Sequence, residues 1–380
     1  MVREEGVDDW AVVERMLPEG WQEQARRTGA LRRCRGFADA GTLLRVLLIH
    51  LGDGCSLRET AVRAQQGGLA QVSDVALLKR LKQCQEWFRW MSDGLMGQWL
   101  ARGPQRLWGE RRRVRVVDGS IITEPGATGS TWRLHYSTSL PGLHCDEVAV
   151  TGAEVGESLR RFQVRAGDVL IADRGFAHRR GIRHVVAHGG DVIVRLNLTN
   201  LPLLDRRGRP LVVLRHLRSL GGSAAGDWPA LMADDQGRIR GRVCAIKKSR
   251  QATEVGRRRA QRNNSRKGQV VSDDTLEAAG YVFVFTTLNA AQCPASTVLE
   301  MYRGRWQVEL AFKRLKSLLA MGHLKKTDPD GAKAWLQGKL LVAFLIEALI
   351  AAAERFSPWG YPLSARALPL AGNLAHAPSA

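Results

Sequence analysis

Apolar positions along the chain change their spacing several times, and each spacing predicts a different kind of element. Residues 8–103 are rich in Leu, Arg, Ala and Gln with few β-branched runs, and they read as helices. Within them Ser56-Leu-Arg-Glu59 has the form of a capping box that opens a helix. Gly67-Gly68 breaks that helix, and Ser73 opens a second, amphipathic one running to near Trp90. Helix, short glycine turn and basic helix fit a helix-turn-helix, and equally an ordinary helical bundle.

From residue 112 the pattern becomes short β-rich runs bounded by Gly and polar residues: RVRVVDGSII, CDEVAVTGA, GDVLIADRGF and GDVIVRLNLT. Ala177 to His188 reads as a helix between the last two, which predicts an α/β core. Residues 201–280 are less regular and Gly- and Arg-rich, with strands predicted at 211–216, 241–247 and 281–287. From 296 to 355 the helical period returns. The longest apolar run, Leu340 to Ala353, is short for a bilayer and contains Glu347, so it reads as a core helix and no membrane partner is expected. The expected parts are a helical region 1–105, an α/β segment 106–200, a β-rich basic segment 201–290, a helical segment 291–356 and a flexible Pro/Ala/Ser-rich tail 357–380.

Composition narrows the function. Hydrophobic residues at 44% and charged residues at 25% are those of a globular protein. The six cysteines are scattered without a C-x-x-C pair, which argues against a zinc module or disulfide framework and for a reducing cytosol. The opening MVREEGVDDW is acidic and polar, unlike a secretory signal. The net charge of +20 favours an anionic partner, and its distribution says more. Residues 1–100 carry 14 Lys and Arg against 13 Asp and Glu, whereas 238–267 carry 12 basic residues and a single acid, Glu254. The densest part is Arg257, Arg258, Arg259, Arg262, Arg266 and Lys267, which reads as a surface that tracks a phosphate backbone; the alternative is a solvated loop.

Three carboxylates carry the candidate chemistry. Asp118 follows Val-Arg-Val-Val and Asp173 follows Val-Leu-Ile-Ala, each at the expected end of an apolar β run with a glycine close behind. Strand ends are where α/β proteins build sites, yet an Asp before Gly is also an ordinary turn residue. Asp146 competes with them, on a strand expected beside that of Asp118, and Asp168 reads as a turn residue. On a helix, Tyr302, Arg305, Glu309 and Lys316 fall within roughly 60° of one another, beside an apolar stripe that includes Val308 and Phe312. Glu309 could therefore meet acids from strand ends, or simply pair with Arg305 and Lys313 at i,i+4. Trp306 could stack on an unpaired base or wall a phosphate site by packing.

The set Tyr302-x2-Arg305-x3-Glu309-x6-Lys316, preceded by Asp118-Gly-Ser and Asp173-Arg-Gly-Phe, resembles the signature of the insertion-sequence-4 family of bacterial transposases over about residues 112–325. The resemblance implies an α/β fold: a ribonuclease-H-like core with a mainly β insertion, preceded by a helical N-terminal DNA-binding region. The 136 positions from Asp173 to Glu309 leave room for that insertion. It implies that Asp118, Asp173 and Glu309 are catalytic and hold two Mg²⁺ or Mn²⁺ ions, with Asp118 bridging both. Tyr302, Arg305 and Lys316 would then hold phosphates of the element's end. Such ions take oxygen ligands, so carboxylates suffice, and a pair about 4 Å apart can serve both sides of an in-line displacement.

The expected function is thus metal-dependent cleavage and strand transfer of an insertion element. The expected partners are double-stranded DNA, both terminal inverted repeats and target, and further copies of the chain in a homodimer or multimer. The expected setting is the bacterial cytoplasm, at the nucleoid. Two alternatives are an inactive transposase-derived DNA-binding protein and a metal-dependent nuclease without strand transfer.

Overall fold

The structure, a computed structural model, describes residues 9–100, 106–107, 110–126, 131–222, 224–266, 268–322, 324 and 328–355. The expected tail and the expected DNA contact Lys267 lie outside the described residues. Contacts divide the chain into two units, residues 1–95 with 333–380, and residues 96–332.

The first unit is helical where described: α1 (Asp9–Glu14), α2 (Trp21–Arg27), α3 (Ala40–Leu51), α4 (Leu57–Gln66), α5 (Asp74–Gln83) and most of α6 (Gln85–Leu100). Local chemistry sets their ends. Ser56 Oγ accepts from the Glu59 N–H at 3.1 Å and Ser73 Oγ from the Ala76 N–H at 3.2 Å, each satisfying a donor that a helix start leaves unpaired. Gly68, at φ +66°, takes the left-handed turn that ends α4. The helix opened by Ser73 stops at Gln83, with Cys84 as its cap, and α6 begins at once, so the single helix expected through Trp90 is two. Trp21 and Trp87 stack at 6.0 Å in this core, where the Trp87 Nε1–H donates to the Trp21 carbonyl at 2.8 Å. The long α13 (Pro329–Arg355) belongs mostly to the same unit, and a Cβ at Gly338 would meet Leu51 at 2.5 Å. By length and composition this helix could cross a membrane, but 61% of its most apolar stretch is buried within the protein.

The second unit is built on a nine-stranded mixed sheet. Its strands are β1 (Arg113–Ile122), β2 (Trp132–Leu140), β3 (Cys145–Gly152), β4 (Asp168–Ala172), β5 (Asp191–Arg195), β6 (Leu203–Leu204), β7 (Gly226–Asp234), β8 (Gly237–Lys247) and β9 (Tyr281–Thr286). The spatial order is β3-β2-β1-β4-β5-β9-β8-β7-β6. The first three strands are antiparallel, β4 is parallel to β1, and β5 is parallel to β4 through a crossover containing α7 (Arg179–Ala187). β4 is buried along its whole length, as its unbroken apolar run demands of a central parallel strand.

The segment expected as a mainly β insertion continues this sheet rather than standing apart from it. β9 pairs antiparallel with β5, and Val194, Phe283, Phe285, Val243 and Met232 share one core with Val117 and Leu170. It also carries three helices: α8 (Val213–Arg218), α9 (Arg250–Ser265) and α10 (Asp273–Ala278). α8 replaces the strand expected at 211–216, because Leu214 and Leu217, three apart, are the positions that bury. The strand at β7 was not expected at all, and the basic stretch forms the regular helix α9.

Candidate active site

Register brings the first two acids together. The parallel ladder between β1 and β4 ends at the pair Val117 and Ala172, so Asp118 and Asp173 are the next residues on adjacent strands at one sheet edge. Asp118 is nevertheless not at a strand end. β1 runs on to Ile122 against β2, and Asp118 lies opposite Tyr136. Asp173 caps a short 3₁₀ turn over Arg174–Phe176, its Oδ1 accepting from the Gly175 N–H at 2.7 Å. The Asp118 Oδ1 accepts from the Gly119 N–H at 2.8 Å.

The third acid arrives on a broken helix. α11 (Ala295–Arg303) passes through a 3₁₀ turn at Gly304–Trp306 into α12 (Gln307–Lys313), and then into a π-helical turn at Arg314–Leu318. The regular helix assumed for 302–316 is therefore tightened once and widened once, the latter of a kind frequent at functional sites. Phe312 anchors this segment on Tyr136 of β2, with ring centroids 5.7 Å apart, and Val308 is buried. Arg305 then lies between two of the acids: its guanidinium is 3.4 Å from Asp118 Oδ2 and 2.5 Å from Glu309 Oε1.

Burial is the main electrostatic fact of the site. It pushes the Asp118 carboxyl up to about 7; the Gly119 N–H and Arg305 oppose this, while Asp173 and Glu157 add to it. Glu157 was not anticipated from the sequence. Its carboxyl is also raised, first by burial and then by Asp173, against the pull of Arg133 and His178. Burial raises the Tyr302 hydroxyl too, with the charges of Arg195 and Arg305 opposing. Burial works against the charge on Arg305, but Tyr302, Glu309 and Asp118 together hold it above its ordinary value.

Two further cations were missed. Arg195 ends β5, and Lys248 follows β8 at the same edge, its Nζ donating to the Ala279 carbonyl at 2.7 Å. Burial, followed by the positive charges of Arg195 and Arg174, lowers Lys248 to about 8. The edge thus runs from acids through Arg174, Arg195 and Lys248 to α9. On α9 no residue is buried; Arg258, Arg259 and Arg262 are exposed, as is Arg266 just past its end, and the Arg257 Nε–H donates to the Leu276 carbonyl at 3.2 Å. A Cβ at Gly256 would approach the Ala279 carbonyl to 3.0 Å, so this helix lies close against α10 and its neighbouring loop.

The remaining expected residues are not gathered equally. Lys316 sits in the π turn, half-buried, and burial lowers it; it makes no ion pair with the acids among the described residues. Trp306 is 48% exposed, so its ring lies at the surface rather than in the core. The competing acids Asp146 and Asp168 are taken up by structure. Buried Arg115 reaches Asp146 at 2.8 Å, Glu147 at 2.7 Å and Asp168 at 3.6 Å, and Arg113 donates to both Asp168 oxygens through Nε and Nη2.

Among the described residues no three His, Cys, Asp or Glu side chains converge closely enough to hold a metal ion. The space between Asp118 and Glu309 is instead filled by the Arg305 guanidinium, itself a cation. An all-carboxylate donor set around a positive group suits a hard divalent ion, provided Arg305 turns away to another anion.

A domain family described as "Transposase DDE domain" matches residues 149–345, a span that contains Asp173 and Glu309 and starts beyond Asp118. The chain is 37% identical over 361 residues to the transposase for insertion sequence element IS421 of Escherichia coli, covering 92% of this chain and 96% of that one. It is likewise 37% identical over 360 residues to InsL of insertion sequence element IS186A of Escherichia coli K12, with the same coverage. A solved piggyBac transposase synaptic complex with hairpin DNA is a distant likeness, at TM-score 0.39 and 8% identity, covering 91% of this chain and 78% of that one. The chain belongs to the family of transposases with a DDE domain. It is a DNA transposase, an enzyme that cleaves DNA and transfers strands, and enzymes with this domain use divalent metal ions.

Proposed function

We propose that Asp118, Asp173 and Glu309 are the three catalytic carboxylates of this transposase, within a ribonuclease-H-like core of the insertion-sequence-4 type. The observation that carries this is the β1–β4 register, which makes Asp118 and Asp173 neighbours, together with the Arg305 bridge from Asp118 to Glu309. Antiparallel β1–β3 followed by parallel β4 and β5 supports the core assignment.

In this reading the three acids hold two Mg²⁺ or Mn²⁺ ions, which supply Lewis acidity to the attacking and leaving oxygens of an in-line displacement. Asp118, Asp173 and Glu309 would be the residues that hold them. Arg305 leaves the carboxylates and turns its planar fork to a phosphate of the element's end. Tyr302 and Lys316 hold neighbouring phosphates, Arg174, Arg195 and Lys248 continue the backbone path, and Trp306 meets an unpaired base with its exposed face. Arg257, Arg258, Arg259, Arg262 and Arg266 on and after α9, with Lys267, track the duplex beyond it. The helices of 1–105 contribute further DNA binding, 106–200 and the first part of 291–356 make the core, with the rest of that helical segment going with the N-terminal helices, and 201–290 is the insertion. The enzyme works as a homodimer or multimer on paired inverted repeats, in the bacterial cytoplasm at the nucleoid.

The test uses purified full-length protein, the inverted repeats of its own element, and Mg²⁺ or Mn²⁺. Asp118→Ala, Asp173→Ala and Glu309→Ala should each abolish cleavage while end binding in EDTA persists. A variant that cuts at the wild-type rate removes its carboxylate from the assignment.

A further inference from the structure

The motifs around the two aspartates each contain a glycine, and one side chain accounts for both. A Cβ on Gly119 would lie 2.7 Å from Glu157 Oε1, and a Cβ on Gly175 would lie 2.5 Å from Glu157 Oε2. A side chain at either position would push the end of the Glu157 side chain aside, so with glycine at 119 and 175 the Glu157 carboxylate can sit beside Asp118 and Asp173.

The backbone holds Glu157 there firmly. Ser158 caps the 3₁₀ turn Leu159–Arg161 through its side chain, and Leu159 is fully buried, 3.3 Å from where a Cβ on Gly181 would stand. Phe162 is buried and packs on Phe176, the residue that follows Gly175, with centroids 6.4 Å apart. The turn carrying Glu157 is thereby fixed to the turn carrying Asp173. The carboxylate itself gains little from protein groups. Among the described residues its one ion pair is with Arg133 at 3.6 Å, and it accepts no hydrogen bond there. A pair that long, with Glu157 29% exposed, contributes little. Glu157 thus stands beside two other acids with no close counter-charge, and a divalent ion shared by the three would draw together carboxylates that do not converge on one point in the metal-free fold.

We propose that Glu157 is a fourth carboxylate of the metal site, ligating the divalent ion held by Asp118 and Asp173. This rests on the assignment of those two residues above. The charge count of a site sets its affinity, so loss of one carboxylate weakens Mn²⁺ binding by about tenfold or more.

Mn²⁺ binding to the full-length protein, read by electron paramagnetic resonance titration of the free ion, tests this without any reaction. Glu157→Gln should weaken binding by about tenfold or more, leave the melting curve in EDTA unchanged, and slow cleavage most at low Mn²⁺. Gly119→Ala, which drives a methyl into the Glu157 carboxylate, should weaken Mn²⁺ binding in the wild type and add little on the Glu157→Gln background. Arg133→Gln should leave affinity unchanged or raise it; if it matches the Glu157→Gln loss, Glu157 acts by pairing Arg133 and the proposal is overturned. Asp118→Asn is the reference. If Asp118→Asn loses Mn²⁺ while Glu157→Gln binds like wild type, Glu157 is not a ligand and the three-acid site stands. If neither variant changes binding, the metal-site assignment falls with it.

Discussion

Asp118→Asn should make the metal-free protein more stable at alkaline pH. The fold holds this carboxyl at about 7 against 3.8 in the unfolded chain, chiefly by burial. A raised folded pKa means that the folded state binds the proton more tightly. Its stabilising contribution is complete below about 3.8 and is lost as pH rises through about 7. The full shift corresponds to roughly 4 kcal/mol, of which about 2.7 kcal/mol is lost between pH 5 and pH 8.5. The amide in the variant does not titrate, so the variant lacks this loss. In thermal unfolding with EDTA, the Tm gap should widen in favour of the variant between those pH values, by roughly 5–10 °C for a unit of this size. Saturating Mg²⁺ at pH 8.5 should stabilise the wild type and not the variant, since an ion bound to the folded state adds its own binding energy. Parallel wild-type and variant profiles between pH 5 and 8.5 would refute the claim that burial strains this carboxylate.

Two further outcomes separate binding from folding. Replacing Arg258, Arg259 and Arg262 of α9 by Gln should weaken binding to duplex DNA of any sequence, and should lower the slope of log affinity against log salt by up to about 2.7; an unchanged slope would place α9 off the DNA. Asp168→Ala should destabilise the second unit by about 3–5 kcal/mol because it strips a partner from buried Arg115 and Arg113, whereas Asp173→Ala should cost far less in denaturant titration while abolishing cleavage.

What the sequence revealed was whatever its neighbours encode locally. The caps at Ser56 and Ser73 and the apolar runs of β1, β4 and β5 depend on residues a few positions apart, and they were legible. The pairing of Asp118 with Asp173 follows from two such runs lying parallel and in register. α9 was not legible because it has no apolar stripe: it is polar all round and its sequence looks like a loop. The helix break at 304–306 and the π turn at 314–318 leave no periodic signal, so the wheel that put Tyr302, Arg305, Glu309 and Lys316 on one ridge ran through two irregular turns. The contacts of α13 with the N-terminal helices join segments far apart in sequence, beyond the reach of any local pattern. Glu157 precedes a short turn outside any strand; its signal lay in the two motif glycines, which read as turn chemistry until something was seen to occupy the space beside them.

The same residue type does opposite work on the two sides of β1, and partner arginines explain the difference. Arg115 points from β1 into a pocket where Asp146, Glu147, Asp168, Ser137 and the Gln163 carbonyl meet its guanidinium, so those buried acids are neutralised within the protein. Three residues further along the same strand, Asp118 is half-buried with a single, longer arginine contact, and Arg305 divides its charge with Glu309. Structural acids are those whose charge the fold satisfies; Asp118 is left short of counter-charge, and burial, with Asp173 and Glu157 beside it, raises its pKa against the pull of the Gly119 N–H and Arg305. Removing a partner from the first group should leave a buried charge and destabilise the sheet. Adding a cation to the second completes it. With the three acids assigned as proposed above, a sheet edge whose Asp118 lacks counter-charge, with Arg174, Arg195 and Lys248 at the same edge, suits two ligands of opposite sign, a divalent ion and the phosphate beside it.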